Sequence, residues 1–193
     1  MGIYGIVCRI YVGAKELERR LLKKLIPQKN VRSIYEIDVQ ALWSAGIRGI
    51  ITDLDNTLVG AKHPRATPEL IDWLKRLQAI GFKVVIVSNN NRLRVSSFSE
   101  PLSIPYIFRA RKPGNMAFRR AMHIMSLAPE QTVVIGDQML TDVLGGNRLG
   151  LYTILVTPIH LADEGFFTKI NRRIEKVALS WMKRRGLMEW EDS

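Results

Sequence analysis

The chain reads as an α/β protein in three layers, a parallel sheet with helices on both faces. Three observations predict this. Short runs of branched apolar residues alternate along the chain with stretches of helical periodicity. The run from Gly49 to Asp53 lacks helical spacing, as expected of a strand buried on both faces. Carboxylates follow such runs directly, where open α/β sheets place their ligand crevice.

Taken in order, residues 1–46 precede the first of these strands and read as a basic, largely helical extension. Leu17, Leu21, Leu22 and Leu25 share one helical face, with Arg19, Arg20, Lys23 and Lys24 on the other. After the strand Gly49 to Asp53, Thr67-Pro68-Glu69 is a helix start, with Thr as N-cap and Pro at the first helical position. Leu70, Leu74 and Leu77 recur at helical spacing until Gly81 ends the run. Strands are predicted over Phe82 to Ser88, Tyr106 to Arg109, Thr132 to Gly136 and Leu151 to Val156. Helices are predicted over Asn115 to Leu127 and Leu140 to Leu149. Gly145 to Gly150 has the glycine spacing of a phosphate loop, but Leu151 stands where a Lys is required. That stretch reads as a helix end, its glycines serving left-handed backbone or close packing. Residues 47–159 form the expected core. Residues 160–193 read as a basic amphipathic helix, with Phe167, Ile170, Ile174, Val177 and Trp181 on one face beside Arg172, Arg173, Lys176 and Lys183. Each terminal helix either docks on the core or lies on an anionic bilayer.

Composition narrows the classes. A chain of 193 residues, 47% hydrophobic and without low-complexity tracts, can bury a full core. A single cysteine, Cys8, excludes an intramolecular disulfide and a thiolate metal cluster. His63, His123 and His160 have no zinc spacing. The apolar opening from Met1 to Val12 is too short to span a bilayer and lacks the marks of a secretory signal. The net charge of +11 is uneven: Lys and Arg outnumber Asp and Glu by 9 to 4 in residues 1–48, and by 7 to 1 in both 92–120 and 166–187. Such an excess implies an anionic partner, whether phosphate substrate, acidic membrane or nucleic acid.

The chemistry begins at Asp53-Leu54-Asp55-Asn56-Thr57. A plain structural reading makes Asp55-Asn56 a turn and Thr57 a helix cap. Three later segments weigh against it. The second strand ends Ile86-Val87-Ser88-Asn89, Arg111-Lys112-Pro113 offers a cation before a helix, and the fourth strand ends Ile135-Gly136-Asp137 with Asp142 five residues on. Each is weak alone; the ordered set is not.

That ordered set resembles the haloacid dehalogenase (HAD) superfamily of aspartate-nucleophile phosphatases over about residues 47–157. The finer likeness is to the YqeG-like subgroup of phosphatidylglycerophosphate phosphatases. It is carried by Ser33 to Ile37, Asp53 to Val59, Gly136-Asp137-Gln138, Asn147 to Gly150 and the tail around Asn171-Arg172-Arg173. The resemblance implies a Rossmann-like core and an aspartyl-phosphate mechanism. Asp53 is then the nucleophile and Asp55 the general acid and base. Lys112 and Ser88 act on the transferred phosphoryl group, with Asn89 and Thr57 as further phosphate contacts. For Thr57, support of the first loop is the favoured role over direct contact with substrate. Mg²⁺ is the implied metal, held by Asp53, Asp137 and the backbone carbonyl of Asp55, with Asp142 behind them or orienting Lys112.

The gaps from Thr57 to Ser88 and from Ser88 to Lys112 are too short for the cap domain that many relatives carry. An open, capless site suits a phosphate on something large. The expected partner is an anionic phospholipid at a membrane surface, phosphatidylglycerophosphate in the first place, and the expected location is cytoplasmic, peripheral on the inner face of the membrane. A phosphatase acting on nucleic-acid ends or on a soluble phosphomonoester is the rival reading. The chain lacks an aromatic-plus-basic stacking surface, which makes nucleic acid the weaker partner. A non-enzymatic basic membrane adaptor is the third.

Overall fold

The structure is a computed structural model describing residues 22–160 and, beyond them, residues 168, 171, 173–175, 177, 180 and 184. Six parallel strands form one sheet: β1 (Lys29–Val31), β2 (Gly49–Thr52), β3 (Lys83–Val87), β4 (Tyr106–Ile107), β5 (Thr132–Gly136) and β6 (Tyr152–Val156). Their order is β1-β6-β5-β2-β3-β4. The helices are α1 (Val39–Ser44), α2 (Pro68–Ile80), α3 (Arg92–Ser99), α4 (Asn115–Met125) and α5 (Leu144–Arg148).

The sheet sits between two apolar layers because successive strand residues point to opposite faces. Ile50, Ile86, Ile135 and Ile154 pack with Leu70, Trp73, Leu74 and Leu77 of α2 and with Val95 and Phe98 of α3. Ile51, Val85, Val87 and Val134 pack with Ala117, Phe118, Ala121 and Met125 of α4. Each fully buried aliphatic side chain here contributes roughly 1.5–3 kcal/mol. The α2 boundaries follow from sequence: the Thr67 hydroxyl accepts from Leu70 N at 3.2 Å, and Gly81 takes a left-handed φ of 107°.

Several elements differ from the sequence-based expectation. The segment expected to be a helical extension supplies strand β1, paired with Ile154–Val156 of β6. Gln28 anchors it, its Oε1 accepting from Thr153 N at 2.6 Å and from Thr153 Oγ1 at 2.7 Å. Three residues are too few to show a strand period. Helices α1 and α3 lie in stretches read as helical but given no bounds, because both are short; each carries an N-cap, Asp38 accepting from Ala41 N and Asn91 from Arg94 N, both at 2.9 Å. The strand predicted over Tyr106 to Arg109 stops at Ile107, since Arg109 turns to a positive φ of 47°. In place of one helix from Leu140 to Leu149, a π-helical turn (Met139–Val143) precedes α5.

The Gly145 to Gly150 stretch does serve packing. A Cβ on Gly145 would strike Phe118, one on Gly146 would strike Thr153, and Gly150 is left-handed at φ 75°. The opening helix expected around Leu17 lies mostly outside the described residues, as does most of the C-terminal one. Of the latter, buried Glu175 accepts from Leu140 N at 3.0 Å. No helix among the described residues is long and apolar enough to cross a membrane.

Candidate active site

The strand order reverses direction at β2, with β3 and β4 on one side and β5 and β6 on the other. This switch point is where parallel sheets leave a crevice beyond their carboxyl ends. Asp53 follows β2 and Asp137 follows β5. The two ends are stitched together by Asp53 N donating to Ile135 O at 2.9 Å. Ser88 follows β3, and its N–H donates to Ile107 O, also at 2.9 Å. The sheet therefore gathers at one edge residues scattered over the sequence.

The centre of the crevice is a buried chain of charge. Lys112 Nζ lies 2.6 Å from Asp53 Oδ1 and 2.6 Å from Asp142 Oδ1. Asp142 is held in turn, its Oδ2 accepting from Gln138 N at 3.3 Å and Thr141 Oγ1 at 3.2 Å. The π-helical turn swings Asp142 inward over Gly136, where an added Cβ would collide with the Asp142 carboxyl group. The glycine before Asp137 is thus required by the carboxylate six residues later.

Asp53, Asp137 and Asp142 each offer an oxygen within 4.8 Å of the others, and all three are buried. Three acids and one lysine leave surplus negative charge in a desolvated place. Burial raises the pKa of Asp53, to about 8; the Lys112 ammonium opposes the rise, and Asp142 and Asp137 add to it. Burial works against the charge on Lys112, but Asp142 and Asp53 outweigh it and drive its pKa up, so it keeps its proton. Clustered hard oxygen donors with uncompensated charge fit a divalent cation.

The other expected site residues take defined places. Thr57 Oγ1 donates to Asp137 Oδ1 at 3.1 Å, so its hydroxyl is engaged in orienting that carboxylate. Asn89 brackets the Lys112 backbone, accepting from its N–H at 2.7 Å. Its side chain serves the lysine loop, where the sequence suggested phosphate. Ser88 is buried and its hydroxyl accepts from Asn90 N at 3.1 Å.

Asp55 reveals what sequence reasoning missed. Its Oδ1 accepts from Arg94 Nε at 3.0 Å and lies 2.8 Å from Arg94 Nη2, while Oδ2 accepts from Asn90 Nδ2 at 2.8 Å. Arg94 sits in the first turn of α3, 39 residues from its partner. The Asn89-Asn90-Asn91 run, with Asn91 as a cap, was the available hint that a helix and its basic residues begin there.

Beside the first loop lies a cavity of about 280 Å³. Leu58, Val59 and Val156 supply apolar walls, and Arg32, His63 and His160 line it as well. Between Thr57 and Ser88 stand only a loop, α2 and β3, and among the described residues no cap covers the crevice.

A capless parallel α/β sheet with paired acids at its switch point defines a HAD-type phosphohydrolase, and comparison with known proteins agrees. Residues 109–161 match the HAD-hydrolase-like family, and residues 15–100 match the family described as mitochondrial PGP phosphatase. The chain is 53% identical to the probable phosphatase YqeG of Bacillus subtilis, over 89% of this chain and 100% of that one. It therefore belongs to the HAD superfamily of phosphatases, in the YqeG family. It is 27% identical to phosphatidylglycerophosphate phosphatase 1, chloroplastic/mitochondrial, of Arabidopsis thaliana, over 97% of this chain and 55% of that one. Against phosphatidylglycerophosphate phosphatase 1, chloroplastic, of Chlamydomonas reinhardtii the identity is 32%, over 78% and 60%. The chain thus spans less than two thirds of the length of these two relatives.

Proposed function

We propose that this phosphatase hydrolyses phosphatidylglycerophosphate to phosphatidylglycerol and phosphate through a phosphorylated Asp53. The observation that carries the mechanism is the buried Asp53–Lys112–Asp142 chain beside Asp137. An Asp53 oxygen attacks phosphorus in line, forming the acyl-phosphate bond as the bond to the glycerol oxygen breaks. Asp55 gives a proton to the departing alkoxide, then takes one from the water that attacks phosphorus and frees Asp53. Lys112 and Ser88 meet the charge on the phosphoryl oxygens. Arg94 and Asn90 hold the Asp55 carboxylate by both oxygens before substrate arrives, so one of these contacts opens when Asp55 takes up the proton it donates.

Mg²⁺ is the metal this set suits best, with Asp53, Asp137 and the Asp55 carbonyl as its protein ligands and Asp142 supporting. Bound there, it would neutralise charge on the phosphate and favour an ionised Asp53.

Three features support a lipid substrate. The relatives whose names specify phosphatidylglycerophosphate align over much of the chain. The site is open, so a phosphate presented on a large assembly can reach it. The neighbouring cavity combines apolar walls with Arg32, His63 and His160, which suits a leaving group that is part acyl and part anionic phosphodiester.

The test is phosphate release from phosphatidylglycerophosphate in mixed micelles, with Mg²⁺ and with EDTA, beside Asp53→Asn. Metal-dependent release lost in the variant supports the reading. Release from an aryl phosphate alone would discard the lipid and keep the chemistry.

A further inference from the structure

The carboxyl edge of β3 and β4 carries side chains that the reaction does not use. Leu93, in the first turn of α3, is 77% exposed; Met116, in the first turn of α4, is 85% exposed; Phe108, directly after β4, is 36% exposed. Scattered exposed apolar residues need no explanation, but three at one edge of an open site do. Helices α3 and α4 pack on opposite faces of the sheet. Leu93 and Met116 therefore begin helices on opposite faces, at the end of the sheet where Phe108 follows β4.

Cations alternate with these tips. Arg92, Arg109 and Arg111 are all exposed. Arg109 and Arg111 adopt positive φ, 47° and 54°, a conformation that costs a bulky residue about 1–2 kcal/mol. Loop hydrogen bonds hold it: Arg109 N to Asn90 O at 2.9 Å, Ala110 N to Ser88 O at 3.0 Å and Lys112 N to Asn89 Oδ1 at 2.7 Å. The loop turns Lys112 inward and leaves its two arginine neighbours in solvent. Glu100 is the one acid from residue 92 to residue 120. It lies at the far end of α3, engaged by the Tyr106 hydroxyl at 2.7 Å.

We propose that this edge docks on an anionic bilayer. Leu93, Phe108 and Met116 enter the lipid interface, while Arg92, Arg109 and Arg111 meet the headgroup phosphates. The open crevice between Ser88 and Lys112 then faces the membrane. Charge selects this occupant: a second copy of the chain would set three arginines against three arginines. Only Phe108 among the three tips has a ring on which a base could stack; Leu93 and Met116, the two most exposed, have none. The residues lie outside the terminal basic segments in sequence, and the inference rests on the lipid-substrate reading above.

The experiment uses the full chain with phosphatidylcholine vesicles, with and without phosphatidylglycerol, in a co-sedimentation assay. Wild type should partition to the anionic vesicles and lose binding as salt rises. Each Arg→Gln change at Arg92 or Arg109 should weaken partition about fivefold. Leu93→Glu with Met116→Glu should weaken it at least tenfold, while hydrolysis of a soluble aryl phosphate stays at the wild-type rate. Unchanged partition in that double variant overturns the proposal. So does sedimentation velocity that shows the double variant losing self-association while wild type ignores the vesicles. The two readings separate cleanly. Vesicle binding through this edge without release from phosphatidylglycerophosphate sinks the substrate alone. Release from micelles with partition indifferent to Leu93 and Met116 sinks the docking face alone.

Discussion

Replacing Lys112 by methionine keeps the length of the side chain and removes the one cation among three buried carboxylates. Its Nζ makes two contacts of 2.6 Å, to Asp53 and Asp142, at a side chain only 3% exposed. Deleting one partner of a buried ion pair costs about 3–5 kcal/mol, because the charge left behind has no compensation. For a chain of this length each kcal/mol lowers Tm by about 2–4 °C, so metal-free Lys112→Met should melt roughly 6–20 °C below wild type near neutral pH. The cost must depend on pH. Asp53 in the fold holds its proton up to about pH 8 against a usual value of 3.8, so the folded state binds the extra proton in between. Stability conferred by that proton is complete below the unfolded value and declines as pH rises through the folded one. Without Lys112, more than one carboxyl behaves this way, and the decline becomes steeper. Thermal unfolding in EDTA from pH 5 to pH 8 measures it. The deficit relative to wild type should widen with pH and shrink when Mg²⁺ is added. A deficit of the same size at pH 5 and pH 8, or none, would refute the charge argument.

Other perturbations test separate links. Asp53→Asn should abolish turnover yet raise Tm in EDTA at pH 8, since a neutral amide relieves the carboxylate crowding; differential scanning calorimetry checks this. Arg94→Ala should lower kcat by about 10–100-fold, less than the 10²–10⁴ that general acid–base catalysis supplies in full, and should shift one limb of the pH–rate profile. Aryl phosphates with good leaving groups should suffer least from that change. Gly136→Ala should displace Asp142, whose carboxyl group occupies the space the new methyl would need, and steady-state assays should show activity cut far more than by Gly150→Ala.

The candidate site was legible in sequence because most of its members follow a strand. Asp53 ends a branched apolar run, Ser88 ends another, and Gly136-Asp137 ends a third, so strand recognition and site recognition were one act. Helix α2 was legible through Thr67-Pro68 and Gly81, which act locally. What escaped depends on tertiary structure. Arg94 looks like any surface residue of a short helix until α3 brings it against Asp55. Asn89 has the right chemistry for phosphate, but the fold engages its side chain with the Lys112 backbone. Strand β1 exists because Gln28 and β6 hold it, a contact between residues 125 positions apart. The π-helical turn at Asp142 answers to the lysine it must reach, and helical periodicity alone does not show that.

The most direct test of the central claim is to trap the phosphorylated enzyme. Single-turnover reaction with substrate labelled at the terminal phosphate, followed by acid quench, should leave label on protein in a peptide containing Asp53. The label should be absent in Asp53→Asn and should decay at the rate of phosphate release. Phosphate released in a single turnover with no labelled protein at any time would contradict the account and point to direct attack by water.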